Sequence, residues 1–167
     1  MGNLADAVVV ITGASSGIGR ATALAFAGKG ARVVLAARRQ EPLEAAALEC
    51  CQAGAADALA IPTDVTNPEA VERLAGAAVD RFGRIDVWVN NAAVTVFAPF
   101  GDLPLEDFRR VVDTDLYGYV HGARAALARF RAQGRGVLIN NASMVAPWPS
   151  PISPRMWWPS TASAAWA

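Results

Sequence analysis

Short apolar runs, rich in β-branched residues, alternate along the chain with longer stretches of helical spacing. Five runs are candidate strands: Ala7–Thr12, Ala31–Ala36, Asp57–Thr63, Ile85–Asn90 and Gly136–Asn140. The first reads Val-Val-Val-Ile over residues 8–11 without a polar break, which is typical of a strand that helices cover on both faces. Strands that alternate with helices predict βαβ units and a parallel sheet.

The segments between the strands carry helix start and stop signals. Asn67-Pro68 supplies a cap and a first-turn proline for a helix that Gly83 closes. Another helix is predicted over Glu41–Ala53. A longer helical region runs from Pro104 to Gln133, either continuous or broken near Asp113–Asp115.

Composition limits the class of protein. With 167 residues and 53% apolar content, the chain can bury the core of one domain. Its net charge is zero, which argues against partners held by bulk charge, such as nucleic acid or an anionic membrane. The apolar stretch Ala7–Ile11 is too short for a signal peptide or a membrane span. Cys50 and Cys51 are adjacent, so we expect reduced thiols and a cytoplasmic protein.

A glycine-rich turn follows the first predicted strand and leads directly into a helix. It reads Thr-Gly-Ala-Ser-Ser-Gly-Ile-Gly over residues 12–19. Unpaired N–H groups at a helix N-terminus favour an anion such as a pyrophosphate, and glycines leave room for it. No Gly-Lys-Ser/Thr follows, so the turn differs from the loop of ATP- and GTP-hydrolysing proteins. The turn predicts dinucleotide binding; an ordinary strand-to-helix turn is the alternative.

These eight residues match the T-G-x-x-x-G-I-G fingerprint of the short-chain dehydrogenase/reductase family, which the chain resembles over residues 5 to about 145. The resemblance implies a doubly wound α/β fold (Rossmann fold) with strand order 3-2-1-4-5. The family adds two further strands, so we expect a truncated form of that fold. The resemblance also assigns cofactor binding to these residues of the turn: Gly13, Ser15, Ser16, Gly17, Ile18 and Gly19.

Two arginines, Arg38 and Arg39, follow the second predicted strand. At this place in the family, an acidic residue binds the adenosine ribose hydroxyls of NAD, whereas an arginine pairs with the 2′-phosphate of NADP. A planar guanidinium suits a phosphate. The resemblance therefore implies NADP as cofactor, with NAD less favoured. Two solvated arginines at a helix start are the alternative.

Further positions match the family's other cofactor-binding loops. Asp64-Val65, after the third strand, resembles a pair whose carboxylate accepts from the adenine amino group; a capping role for Asp64 is the alternative. Asn91, in Asn-Asn-Ala-Ala over residues 90–93, resembles the asparagine that shapes the cofactor ribose site. Ala93 stands where the family has glycine, which restricts the loop if this position needs a positive φ.

The family's catalytic residues match less well. Ser143 stands where the substrate-orienting serine belongs, and Asp115 replaces the helix asparagine of the proton relay. A carboxylate there could hold the same water or could be an ordinary helix residue. The family's Tyr-x-x-x-Lys pair is absent, because Met156 and Ser160 occupy those positions.

The aromatic residues of the long helical region do not replace that pair. Tyr117 and Tyr119 lie before the fifth strand and lack a lysine four residues on, so we interpret them as packing residues. His121 is interpreted as a helix-surface or interface residue. No group of Cys, His or carboxylate side chains has metal-ligand spacing.

The segment 145–167 differs from the rest of the chain. It holds five of the ten prolines and four of the five tryptophans, without strand or helix periodicity. A flexible tail or unusual loop is one interpretation. We prefer out-of-frame translation of a GC-rich gene, which would yield Trp, Pro, Ser and Ala in this abundance. Residues 1–144 then form the dinucleotide-binding domain.

These observations lead to two hypotheses. The first is an NADP(H)-dependent oxidoreductase that acts on a small-molecule alcohol or carbonyl, in a catalytically incomplete form. The second is a catalytically silent nucleotide-binding or interaction protein. In either case we expect no nucleic-acid or membrane partner. The resemblance also implies a possible homo-oligomer, because the family dimerises in part through its fourth and fifth helices. We further expect the fifth strand to be an exposed edge that promotes self-association, because the family pairs it with a sixth strand.

Overall fold

The computed structural model describes residues 4–142. Five parallel strands form one sheet in the order β3-β2-β1-β4-β5, which confirms the predicted architecture. The strands lie close to the predicted apolar runs. They are β1 (Val8–Thr12), β2 (Arg32–Ala37), β3 (Asp57–Pro62), β4 (Val87–Asn90) and β5 (Val137–Asn140).

Helices connect the strands and cover both faces of the sheet. They are α1 (Gly17–Ala27), α2 (Gln40–Gln52), α3 (Pro68–Phe82), α4 (Leu105–Val112) and α5 (Gly118–Gln133). A short 3₁₀ turn, Phe100–Asp102, precedes α4. The predicted limits of α3 are confirmed: the Asn67 side chain accepts from the Ala70 amide at 2.9 Å, and Gly83 ends the helix in the left-handed conformation.

The long helical region stays helical throughout, but it is not a single continuous α-helix. A π-helical turn, Asp113–Tyr117, joins α4 directly to α5. Such a turn inserts an extra residue without ending the helix, so the side chains that follow are rotated relative to those that precede it. The interruption considered near Asp113–Asp115 therefore falls where α4 changes to the π-helical turn, although the chain stays helical through it.

The core consists of two layers, one on each face of the sheet. The side of Val8, Val10 and Trp88 packs against α3 and α5. The opposite side, with Val9 and Ile11, packs against α1 and α2. All five residues of β1 are buried, as expected for a central strand covered on both faces.

Asp86 holds the start of the central strand. One carboxylate oxygen accepts from the Val8 amide at 2.9 Å and from Arg84 Nε at 2.7 Å. The Asp86 amide in turn donates to the Val8 carbonyl at 2.9 Å. The carboxylate therefore fixes the beginning of β1 against the loop before β4.

Strand β5 is the edge of the described sheet, and Val137 and Ile139 are 54% and 40% exposed there. Cys50 is buried and Cys51 is exposed, and both are free thiols, as predicted. Within residues 4–142 no helix is long and apolar enough to cross a membrane. The segment 145–167 lies outside the described residues.

Candidate functional site

A cleft of about 780 Å³ opens at the carboxyl edge of the sheet. The loops after all five strands contribute to it, because parallel strands end at the same edge. Of the described residues predicted for the site, Gly17 and Asp115 do not line it. The others do: Gly13, Ser15, Ser16, Ile18, Gly19, Arg38, Arg39, Asp64, Val65 and Asn91.

The glycines of the turn bring its backbone close to the loop after β4 without side chains between them. Gly13 has φ +66°, and a Cβ there would lie 2.8 Å from the Ala92 Cα. A Cβ on Gly19 would lie 2.5 Å from the Asn91 Nδ2. Gly17 has φ +53° and is exposed, with nothing within 4 Å of a Cβ. The turn is thus packed closely on its inner side and open at the N-terminus of α1, where an anion binds best.

Thr12 and Asn91 fasten this turn to the loop after β4. The Thr12 hydroxyl accepts from the Asn91 amide at 3.0 Å and from the Ala92 amide at 3.1 Å. The Asn91 side chain donates to the Thr12 carbonyl at 3.0 Å. Its oxygen accepts from the Asn141 side chain at 2.9 Å. The Asn91 side chain therefore connects the ends of β1 and β5 at the centre of the cleft.

Ala93 does not strain that loop. Within the described residues, Asp6 is the non-glycine residue with a positive φ. Position 93 accordingly has an ordinary backbone conformation, and the alanine is accommodated without the glycine that the family has there.

Arg38 and Arg39 form the basic end of the cleft, just after β2. Both are exposed, and neither makes an ion pair within the part of the chain that the structure describes. Their guanidinium groups remain available to an anionic ligand. A phosphate is the anion that this fork-shaped group binds best.

Asp64 and Val65 form the neighbouring wall. The Asp64 carboxylate accepts from the Thr66 amide at 3.0 Å and from the Thr66 hydroxyl at 2.8 Å. These bonds form a local turn that uses one carboxylate oxygen. They do not cap α3, whose N-cap is Asn67. Val65 is buried at the base of the wall.

Asp115 lies behind the cleft, in the π-helical turn. Its carboxylate accepts from the Val94 amide at 2.8 Å, and Val94 lines the cleft. Burial raises the pKa of Asp115 to about 6, against a smaller lowering by the Val94 hydrogen bond. The structure thus gives this carboxylate a contact with the backbone of a cleft-lining residue, where the sequence suggested a bound water or an ordinary helix position.

Ser143 lies outside the described residues. Among residues 4–142, no group of three His, Cys, Asp or Glu side chains could hold a metal ion.

The sequence pattern of a known family, described as short chain dehydrogenase, matches residues 7–154. That range contains every strand, the glycine turn and the whole described cleft. The chain belongs to the short-chain dehydrogenase family. The predicted resemblance is confirmed.

Relatives and solved structures agree with this membership. The chain is 47% identical over 142 residues to the oxidoreductase YxnA of Bacillus subtilis, covering 84% of this chain and 40% of YxnA. It resembles a crystal structure of NAD⁺-bound xylitol dehydrogenase with a TM-score of 0.93 and 32% identity, covering 99% of this chain and 64% of the other. An alcohol dehydrogenase of Thermococcus sibiricus, solved with 5-hydroxy-NADP, gives a TM-score of 0.89 and 32% identity, covering 96% and 68%.

The chain spans about half the length of the curated relatives it matches: 40% of YxnA, 55% of an oxidoreductase of Listeria monocytogenes and 62% of one of Staphylococcus haemolyticus. This chain therefore corresponds to only part of the length of each of those relatives.

Sequence reasoning missed how α5 contacts the cleft. His121 was expected at a helix surface or an interface, but its Nδ1 lies 2.9 Å from the Val65 carbonyl. Tyr119 is buried, as expected for a packing residue, and its hydroxyl also donates to the Asn141 carbonyl at 2.9 Å. The same interpretation is wrong for Tyr117, which is 52% exposed. Burial, and then the nearby Asp115 carboxylate, raise the pKa of Tyr119 above its ordinary value.

Helix α4 supplies a further wall that sequence reasoning did not assign. Arg109 and Arg110 line the cleft together with Glu106 and Asp113. Their spacing of three and four residues places them on one helix face, and this is the signal that could have grouped them. Nothing in the spacing indicates that this face meets the cleft.

Proposed function

We propose that this chain is the dinucleotide-binding part of an NADP(H)-dependent oxidoreductase that acts on a small alcohol or carbonyl compound. The observation that carries the proposal is the pair Arg38 and Arg39, which lines the cleft without an ion pair in the described structure. A dinucleotide would lie across the carboxyl edge of the sheet, with its pyrophosphate at the start of α1.

The structure fits such a group on its own geometry. The exposed Gly17 has open space around it, whereas Gly13 and Gly19 are closely packed. This arrangement keeps the backbone N–H groups of the turn accessible. Val65 and Asn91 line the cleft farther along, so they can contact the adenine and ribose parts of the same ligand.

The choice of NADP over NAD rests on charge. Position 37, where β2 ends, is an alanine that lines the cleft, and the next two residues are arginines. A 2′-phosphate would meet two cations there, whereas a free ribose hydroxyl would meet no carboxylate at these positions. The two solved relatives hold either cofactor, NAD⁺ in one and a modified NADP in the other, so the fold alone does not decide.

A fluorescence titration of the purified chain with NADPH and NADH tests this choice. We expect tighter binding of NADPH. Replacing Arg38 by Asp should weaken NADPH binding about 5- to 150-fold, because a charge-assisted contact becomes a repulsion. Arg73→Asp on α3 makes the same charge change outside the cleft and should leave the affinity nearly unchanged. Equal affinities for the two nucleotides in the parent chain would refute the assignment of Arg38.

We further propose that the chain is catalytically incomplete. The dinucleotide supplies the hydride, so the protein must supply a proton to the carbonyl oxygen. Tyr119 is buried and its hydroxyl donates to the Asn141 carbonyl. The Asp115 carboxylate accepts from the Val94 amide. The family's tyrosine and lysine positions hold Met156 and Ser160, which cannot take over the proton transfer.

Turnover is tested by following NADPH absorbance with a panel of ketones, aldehydes and quinones. Loss of the general acid alone typically slows a reaction about 10²- to 10⁴-fold, so we expect rates at background. The control replaces the segment after Ser143 by a family-type continuation that contains Tyr-x-x-x-Lys. Fast turnover by the original chain would disprove incompleteness and leave the proposed cofactor unaffected.

The exposed edge of the sheet supports self-association as a second expectation. Val137 and Ile139 present apolar surface on β5, the edge of the described sheet, and unpaired edges recruit other chains. Light scattering should show species larger than a monomer at high protein concentration. A monodisperse monomer would contradict this expectation.

A further inference from the structure

The start of α5 and the preceding π-helical turn contact three of the loops that form the cleft. Asp115 accepts from the amide of Val94, after β4, at 2.8 Å. The Tyr119 hydroxyl donates to the carbonyl of Asn141, after β5, at 2.9 Å. His121 Nδ1 lies 2.9 Å from the carbonyl of Val65, after β3. One short stretch of helix therefore touches three separate parts of the proposed nucleotide site.

This packing is close. A Cβ on Gly118 would lie 2.8 Å from the Val65 Cγ2, so the helix backbone rests directly on the cleft wall. The extra residue of the π-helical turn is placed just before this contact, and it allows Asp115 to face the Val94 loop while Tyr119 and His121 keep their own partners. Such insertions are frequent at functional positions.

Asp115 is the partly buried carboxylate in this arrangement, and no cation lies within 4 Å of it in the described part of the chain. The Val94 loop, residues 91–95, contains no ionisable side chain, and neither do Asn140 and Asn141 at the end of β5. The titratable group whose charge couples to Asp115 is Tyr119, which stays neutral. Besides Tyr119, the titratable residues near Asp115 in the π-helical turn and at the start of α5 are Asp113, Tyr117 and His121.

We infer that Asp115 is a positioning residue that holds the Val94 loop in its cofactor-binding conformation while ionised, and that protonation of this carboxylate loosens the loop. A hydrogen bond to an ionised acceptor is roughly twice as strong as one between neutral groups. Protonation thus weakens the contact without removing it. Because burial raises the pKa of Asp115 to about 6, the change falls between about pH 5 and pH 7.

The consequence for the nucleotide rests on the function proposed above. Residues 91–94 line the cleft, so a looser loop binds the dinucleotide less well at low pH. Asn at position 115 would accept the same Val94 hydrogen bond at every pH, which removes the switch but keeps the contact. Asp115→Asn is therefore the informative substitution.

The first arm of the test does not involve a nucleotide. The NMR signal of the Val94 amide is followed from pH 5 to pH 8 in the parent chain, where we expect a titration with a midpoint near 6. The titration should vanish in Asp115→Asn. It should persist in Asp113→Asn, which removes an exposed carboxylate from the same π-helical turn, and in His121→Gln. Persistence in Asp115→Asn, or a flat profile in the parent, would overturn the inference.

The second arm measures NADPH affinity at pH 7.5 and pH 5.5. The 2′-phosphate also titrates near pH 6, but it does so equally in parent and variant, so the ratio of their affinities isolates Asp115. We expect the parent to lose about three- to tenfold more affinity than Asp115→Asn on this change of pH. An unchanged ratio would show that the loop contact does not control nucleotide binding. Absence of NADPH binding at both pH values would refute the proposed function, and the Val94 titration would then decide the loop contact alone.

Discussion

Replacement of Asp115 by Asn should stabilise the folded chain at neutral pH. The carboxyl group is partly buried, and burial raises its pKa from 3.8 to about 6. The folded state therefore binds this proton more tightly than the unfolded chain. This group contributes stability below about pH 4, and that contribution is lost progressively as the pH rises to about 6.

The magnitude follows from the difference between the two pKa values. A rise from 3.8 to about 6 corresponds to a loss of about 3 kcal/mol above pH 6, at about 1.4 kcal/mol for each pH unit. The side chain is only partly buried, so solvent screening lowers the expected effect to about 1–2 kcal/mol. Asn pays no ionisation penalty and can still accept the hydrogen bond from the Val94 amide.

The assay is urea unfolding, followed by far-ultraviolet circular dichroism at pH 7.5 and pH 4. At pH 7.5 the free energy of unfolding of Asp115→Asn should exceed that of the parent by about 1–2 kcal/mol. At pH 4 the difference should nearly disappear. Asp113→Asn, at an exposed position of the same turn, should differ from the parent by less than about 0.5 kcal/mol. A variant that is less stable at pH 7.5, or a difference that does not change with pH, would refute the reasoning.

Three further outcomes follow from the packing. Gly19→Ala should lower the unfolding midpoint in urea more than Gly17→Ala. A Cβ at Gly19 would lie 2.5 Å from the Asn91 side-chain amide nitrogen, whereas at Gly17 there is open space and only the φ of +53° disfavours alanine. Asp86→Ala should cost about 2–3 kcal/mol in the same assay, since it leaves the first amide of β1 without its acceptor; a neutral result would show that the contact is dispensable. Brief alkylation at pH 8 should modify Cys51 and spare Cys50, whose pKa burial raises to about 11; mass spectrometry of two equal adducts would contradict this.

The fold could be predicted because its signals are local. Each strand contains at least three consecutive apolar residues. The cap residues of α3, Asn67 and Gly83, are recognisable in the sequence and occupy the expected places. Ten of the residues that line the cleft could be predicted for a similar reason. Parallel strands end at one edge, so residues that directly follow different strands must meet there, as Arg38 and Asn91 do.

The parts that could not be predicted depend on how α5 is placed. The extra residue at Asp113–Tyr117 leaves the apolar spacing of the long helical region almost unchanged, so periodicity does not reveal it. The contact of Asp115 with Val94 joins residues from two separate elements, and the contact of His121 with Val65 spans an even longer separation along the chain. Such contacts follow from the packing of α5 on the sheet, and no local pattern encodes them.

The position of Asp115 connects stability with the proposed function. A partly buried carboxylate without a cationic partner in the described structure destabilises the fold at neutral pH, and an asparagine of nearly the same shape would avoid that cost. Perturbed ionisable groups of this kind concentrate at functional sites. Here the carboxylate contacts the loop that closes one side of the nucleotide cleft, and neighbouring residues of the same helix contact the loops after β3 and β5. The stability lost at Asp115 is therefore best explained by the firmer hold that an ionised acceptor gives to the Val94 loop when a nucleotide binds.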